Sequence, residues 1–172
     1  MIDKAELIDF IVSEFKKNFS NKNNLEVKFK EDKTIVTNLD IQISNKVKDL
    51  LSKDEKLSAY TFYSEEEHDN LCFPSLVLDP IDGTKELAQS IPECSMSLAI
   101  MKTSKIKDGE GWIFNPFTGF HISSDQGFCK PLNQFKDKLH GLVSRSEWEK
   151  GLFSEVKDNA ILSPRGSIAF KL

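Results

Sequence analysis

The residues best suited to chemistry stand close together in one stretch of the chain. An apolar run from Ser75 to Leu78 ends in Asp79-Pro80-Ile81-Asp82-Gly83-Thr84, and Ser64-Glu65-Glu66-Glu67 lies shortly before it. A strand that delivers two carboxylates and a turn glycine at its end gathers hard oxygen ligands around one point, as a magnesium ion requires. Such a centre binds phosphate through the metal. Gly83 and Thr84 would open a helix through Lys85, Glu86 and Leu87, whose first backbone N–H groups can receive an anion. The layout suggests phosphoryl chemistry.

Each piece also has an ordinary reading. Asp-Gly before a helix is a common turn and N-cap, and three successive glutamates commonly form a solvated face. It is their combination that points to a site. Two other phosphate-handling designs are excluded. A haloacid-dehalogenase-type phosphatase spaces its two aspartates two residues apart, whereas Asp79 and Asp82 are three apart, and no Gly-x-x-x-x-Gly-Lys of a P-loop occurs. His68, His121 and His140 have no partner at metal or triad spacing and read as surface or strand residues. Cys72, Cys94 and Cys129 are odd in number and widely separated, with no Cys-x-x-Cys pair, and are expected to be buried, reduced thiols.

The elements that must carry these groups follow from periodicity. Ile2, Ala5, Ile8, Ile11, Val12, Phe15 and Phe19 recur at helical spacing, with Lys16 and Lys17 near the end where the helix dipole favours cations. Leu25, Val27 and Phe29 alternate with charged neighbours, which predicts a half-buried strand. A second helix is expected from about Leu39 to Leu51, with Ile43, Val47, Leu50 and Leu51 on one face. Tyr60 with Phe62, Ser75 to Leu78, Met96 to Met101, Trp112 to Phe114 and Phe120 to Ser123 read as strands, several of them antiparallel. Turn formers at Lys107-Asp108-Gly109, Asn115-Pro116 and Asp125-Gln126-Gly127 separate them. After about Lys138 the texture becomes α/β. Leu142 to Ser144 and Ala160 to Leu162 read as strands, Glu147 to Phe153 as a helix, and Arg165-Gly166-Ser167 as the opening of another helical pattern. The expected division is therefore 1–138, an α+β unit with the acidic cluster, and 139–172, the start of a second α/β unit.

Composition narrows the function classes. A chain of 172 residues supports one real core, since a domain near this size buries about 68–70% of its unfolded surface. Its 39% hydrophobic and 29% charged residues exclude collagen-like, low-complexity and wholly disordered readings. No apolar run approaches the roughly 20 residues needed to cross a bilayer, and Asp3 and Glu6 do not suit a signal peptide. A soluble, cytoplasmic protein without a membrane partner is expected. A net charge of −4 and a pI near 5.5 offer no basic face to a nucleic-acid polymer.

Asp79 to Thr84 resembles the Asp-Pro-Ile-Asp-Gly-Thr signature of the inositol monophosphatase-like, magnesium-dependent, lithium-sensitive phosphatases, and Glu65-Glu66 falls where that family has its upstream acidic pair. Lys30-x-Asp32-x-Thr34-x-Val36-Thr37-x-x-Asp40 resembles a further family block. Gly83-Thr84-Lys85-Glu86-Leu87, Val143-Ser144-Arg145-Ser146 and Gly166-Ser167 look like the 3'(2'),5'-bisphosphate nucleotidase branch. The resemblance spans nearly the whole chain. It implies a layered α+β fold with helices on an antiparallel sheet, Mg2+ as cofactor, and a small phosphorylated substrate. It also implies that Glu65, Asp79 and the Ile81 carbonyl hold one magnesium, that Asp79 and Asp82 contribute to a second, and that a bound water attacks phosphorus in line. Thr84, paired with Asp32 as in the nucleotidase branch or with Glu65 as in inositol phosphatases, would orient that water.

The backbone at Gly83 and Thr84 would hold phosphate oxygens. Arg145, Gly166 and Ser167 would meet the substrate, although Arg145 reads equally as a surface cation on a strand-to-helix turn. Lys30 and Asp32 read also as plain turn charges, and Asp40 as a carboxylate that supports the ligands from behind or starts a helix rather than as a ligand itself. The family has a further metal-binding aspartate in a Trp-Asp-x-Ala-like segment, and this chain reaches Leu172 before one, so a C-terminally truncated chain with an incomplete centre is expected. The leading reading is hydrolysis of 3'-phosphoadenosine 5'-phosphate. Hydrolysis of an inositol or sugar phosphate, or a catalytically silent metal- or phosphate-binding module, stands beside it. Assembly into a homo-oligomer is left open.

Overall fold

A computed structural model describes residues 4–20, 25–31, 34–66, 70–124, 139–152 and 160–166. Helix α1 spans Lys4–Ser20 and buries Leu7, Ile11 and Phe15, four residues apart and therefore on one face. Helix α2 spans Asn38–Lys53 and buries Leu39, Ile43, Val47, Leu50 and Leu51. It begins sharply at Thr37, whose backbone N–H (2.8 Å) and hydroxyl (2.6 Å) both donate to Asp40 Oδ2. A third-position carboxylate reaching back in this way satisfies a donor the helix itself leaves unpaired. Asp40 is thus the helix-start carboxylate of the sequence reading.

The central sheet has five strands in the order β3-β4-β5-β6-β7. These are β3 Thr61–Ser64, β4 Ser75–Asp82, β5 Ser95–Met101, β6 Gly109–Phe114 and β7 His121–Ser123. Pairing is antiparallel except between β3 and β4, which run parallel. Leu76, Leu78, Met96, Leu98, Ile100, Trp112 and Phe114 alternate along three strands and join the helical residues in one core. The aromatic ring of Phe117 closes the far end, edge-on to Phe15 at 5.5 Å and to Phe19 at 5.0 Å. The fold is α+β, as expected.

Two smaller sheets flank this body. Strands β1, Val27–Phe29, and β2, Ile35–Thr37, form an antiparallel pair. Strands β8, Leu139–Ser144, and β9, Ala160–Arg165, form a parallel pair, with helix α4 at Arg145–Glu149 following β8.

Several local expectations are corrected. Strand β1 is exposed rather than half-buried, with Phe29 74% accessible, because the strand pairs only with β2. Cys72 is exposed, whereas Cys94 is buried as expected. The helix placed at Glu147 to Phe153 instead begins at Arg145 and ends at Glu149. Gly151, at φ 75°, donates to the Trp148 carbonyl while Leu152 N–H reaches Glu147 O, a left-handed stop that apolar spacing does not reveal. Strand β4 continues past Leu78 through Asp82. Asp32, Ser167, His68, Cys129 and Phe153 lie outside the described residues, as does the segment around the expected unit boundary at 138.

Candidate active site

Asp79 and Asp82 both sit on the last turn of pleat in β4, where the ladder is irregular. Asp79 pairs with Ser97 of β5 and Asp82 with Ser95, so three steps along β4 oppose two along β5. In a regular strand, residues three apart face opposite sides. The extra residue at Pro80-Ile81 is a bulge, and it brings both aspartates to the face shared by Ser95 and Ser97. Pro80 suits that position because it has no N–H to lose from the ladder.

The chain then leaves the sheet through Gly83, at φ 98° and ψ 32°, directly into the short helix α3 at Thr84–Ala88. A side chain there would be strained by the backbone and would bring its Cβ within 2.7 Å of the Glu93 carbonyl oxygen. Thr84 turns back, its hydroxyl donating to the Ile81 carbonyl oxygen at 2.8 Å. That carbonyl keeps a second lone pair, and the hydroxyl keeps its own as acceptors.

Glu65 follows β3 directly, and its N–H donates to the Leu78 carbonyl at 3.2 Å, which fixes it beside β4. Its side chain is about half exposed, and Lys30 Nζ lies 3.8 Å from its carboxylate. Lys30 pairs more closely with Glu66, at 2.9 and 3.0 Å to its two oxygens. Glu66 is 11% accessible, so it does not belong to a solvated face. Burial opposes the Lys30 charge, but the Glu66 hydrogen bond and the nearby charges of Glu66, Glu65 and Asp40 raise its pKa.

Asp79 is the most perturbed acid of the cluster. Burial first, then the charges of Glu65, Asp82 and Asp40, push it up to about 7. Its Oδ1 is buried without a hydrogen-bond partner. Asp40, 1% accessible, is raised to about 6, chiefly by burial and against the lowering effect of its Thr37 hydrogen bonds. An unpartnered buried carboxylate oxygen among acids is costly, and a cation is the natural remedy. The donor set, carboxylates plus a carbonyl, matches a hard divalent ion. Among the described residues, no three carboxylate, imidazole or thiol groups are already drawn in to ligand distance.

Of the other residues singled out by sequence, Arg145 stands at the start of α4 and is held by Glu86 and Glu93, and Gly166 follows β9 with its N–H on Glu93. The Lys30–Glu66 pair and Glu93 escaped the sequence reading. The acidic run and the Lys-x-Asp block carried a signal for the first. Glu93 carried none, because its partner Arg145 lies 52 residues away.

Comparison with known proteins places this arrangement in context. Among solved structures, an inositol monophosphatase of Thermotoga maritima superposes with a TM-score of 0.75 at 18% identity, covering 94% of this chain and 66% of its own. An inositol monophosphatase II of Staphylococcus aureus gives 0.67 at 18% identity, covering 97% and 67%. An inositol monophosphatase/NADP phosphatase complexed with Mg2+ and phosphate gives 0.62 at 17%, covering 96% and 69%. The chain thus spans about two thirds of the length of these structures. No protein of curated function matches it. The inositol monophosphatase family profile matches residues 4–156, from the first described helix to beyond α4. With this profile covering most of its length, the chain belongs to the inositol monophosphatase family.

Proposed function

We propose that this chain carries the phosphate-cleaving centre of a magnesium-dependent phosphomonoesterase, acting in the cytoplasm on 3'-phosphoadenosine 5'-phosphate to give AMP and phosphate. The observation that supports it most is Asp79, a half-buried carboxylate with one buried, unpartnered oxygen at a bulge, flanked by the acids Glu65 and Asp82. Glu65, Asp79, the Ile81 carbonyl and Asp82 would hold the metal. Magnesium bound there supplies Lewis acidity toward the phosphate and a water nucleophile at neutral pH.

The chain's own groups do the rest. The Gly83 and Thr84 amides receive phosphate oxygens. Thr84 Oγ1, its proton committed to the Ile81 carbonyl, accepts a proton-bearing contact from water and aims the water's lone pair at phosphorus. A carboxylate oxygen of Asp32 or Glu65 takes the proton. Gly166 and Ser167 would border the substrate, in a second α/β unit that begins at residue 139.

The Lys30-x-Asp32 and Gly83-Thr84-Lys85-Glu86 segments favour the bisphosphorylated nucleotide. A second reading, inositol phosphate, is favoured by the solved relatives, one of which, a dual-specific inositol monophosphatase/NADP phosphatase, is bound with D-inositol-1-phosphate. A magnesium-dependent phosphate-release assay in competition separates the two. The nucleotide is expected to be cleaved at least about tenfold faster, roughly 1.4 kcal/mol in the transition state. The reverse ranking transfers the assignment to inositol phosphate. Magnesium binding without turnover of either makes the chain a silent binding module, and no magnesium-dependent thermal shift removes the proposed centre altogether.

A further inference from the structure

Arg145 is remote from the acidic cluster in sequence, yet it reaches both walls of the Gly83–Thr84 turn. One wall is α3, whose Glu86 has a side chain only 6% accessible; Arg145 Nε lies 3.3 Å from Glu86 Oε1, a charge contact without hydrogen-bond alignment. The other wall is residue 93, whose carbonyl abuts Gly83 and whose carboxylate is hydrogen-bonded by the Arg145 guanidinium. Gly166 N–H donates to the same Glu93 oxygen at 3.2 Å, and Arg165 Nη1 stands 3.9 Å from the other. Two carboxylates therefore face two guanidiniums, in balance. Any side chain at Gly166 would overlap the Glu86 carboxylate, so the end of β9 is fitted closely against α3. A further tie, Lys85 to Glu149 at 3.0 Å, is solvent-exposed and adds little.

We propose that Arg145, Glu86 and Glu93 form a clasp by which the ends of β8 and β9 fix the Gly83–Thr84 turn, making Arg145 a positioning residue. A guanidinium whose charge is already shared by two carboxylates attracts a substrate anion weakly, and removing it takes the cation from the nearly buried Glu86 and leaves Glu93 with the Gly166 N–H and the more distant Arg165. The value of the clasp to catalysis rests on the phosphatase reading, because that reading gives the turn its phosphate.

Amide hydrogen exchange on the whole chain without metal tests the clasp directly. The Leu87, Gln89 and Ile91 amides, bonded within and just after α3, report on the turn. In Arg145→Met they should exchange at least about tenfold faster while the β5–β6 amides keep their protection. Glu93→Gln should do the same, and the double variant should be no faster than either single one. Arg145→Lys, which keeps the cation, should restore part of the protection. Unchanged exchange at these amides, or fully additive effects in the double variant, overturns the proposal. If Arg145→Met also loosens β5 and β6, the nearly isosteric Glu93→Gln decides. A second measurement is the magnesium concentration at half-maximal thermal shift, which should rise about fivefold or more in Glu93→Gln. A lower melting temperature with an unmoved midpoint shows a merely structural contact and also sinks the positioning role. Exchange needs neither metal nor substrate, so a chain that binds no magnesium fails the phosphatase reading while the clasp is still decided.

Discussion

Asp79 and Asp40 are acids whose folded environment favours the protonated form, and the sign of their effect follows from that. Each carboxyl is raised in the fold, to about 7 and about 6, so each contributes stability that is complete below its unfolded pKa and lost as pH rises through the folded value. The metal-free chain is therefore expected to lose stability between about pH 5 and pH 8, by roughly 2–3 kcal/mol once partial solvent access is allowed for. Urea melts in chelator at pH 5, 6.5 and 8 check this. Asp79→Asn should flatten most of the slope, and a wild-type curve that rises over the same range would contradict the assigned burial. The Asp79 identity was legible in the sequence, because its neighbours Pro80, Asp82 and Gly83 form a motif. Its state was not. Whether an aspartate is solvated or buried beside three other acids depends on β3 and α2, which no local window contains.

At the scale of elements, the bulge at Pro80-Ile81 and the left-handed Gly83 work together: one turns two aspartates to one face, the other turns the chain out before the next strand is met. Gly83→Ala should destabilise the chain by about 2–4 kcal/mol, combining the left-handed backbone cost with the close Glu93 carbonyl. A shift of the urea midpoint at unchanged slope measures it, and a loss under about 0.5 kcal/mol would mean that residue 93 moves away freely. Helices α1 and α2 were readable because their apolar residues recur every three or four positions over many turns. Most strand positions were readable, the short β2 at Ile35–Thr37 excepted, but the parallel sense of β3 and β4 was not, since alternation is the same in either direction. The exposure of β1 was likewise hidden. Alternating residues announce a strand that has a face to bury, and only the fold decides whether anything covers it.

For the molecule as a whole, the groups of the candidate centre come from the exit of β3, the end of β4, the start of α3 and, through the clasp, the ends of β8 and β9. Neighbours in the chain supply Asp79 to Thr84, which is why that part was legible, whereas Glu93 and Arg145 meet only in the finished fold. The parallel pairing of β3 with β4 also bears on the order of events during folding. Parallel strands cannot close through a tight hairpin, so Glu65 reaches Asp79 only after a non-local crossover has formed. A cation has no assembled binding place before that step. Magnesium is thus expected to leave the refolding rate almost unchanged and to slow unfolding, by several tens of fold and up to about a hundredfold at a hundredfold excess over its dissociation constant, if most of its binding energy is realised after the barrier. Stopped-flow refolding and unfolding with and without magnesium would show it. An accelerated refolding arm would mean instead that the acids gather before the sheet does, and that the ion helps to recruit the fold.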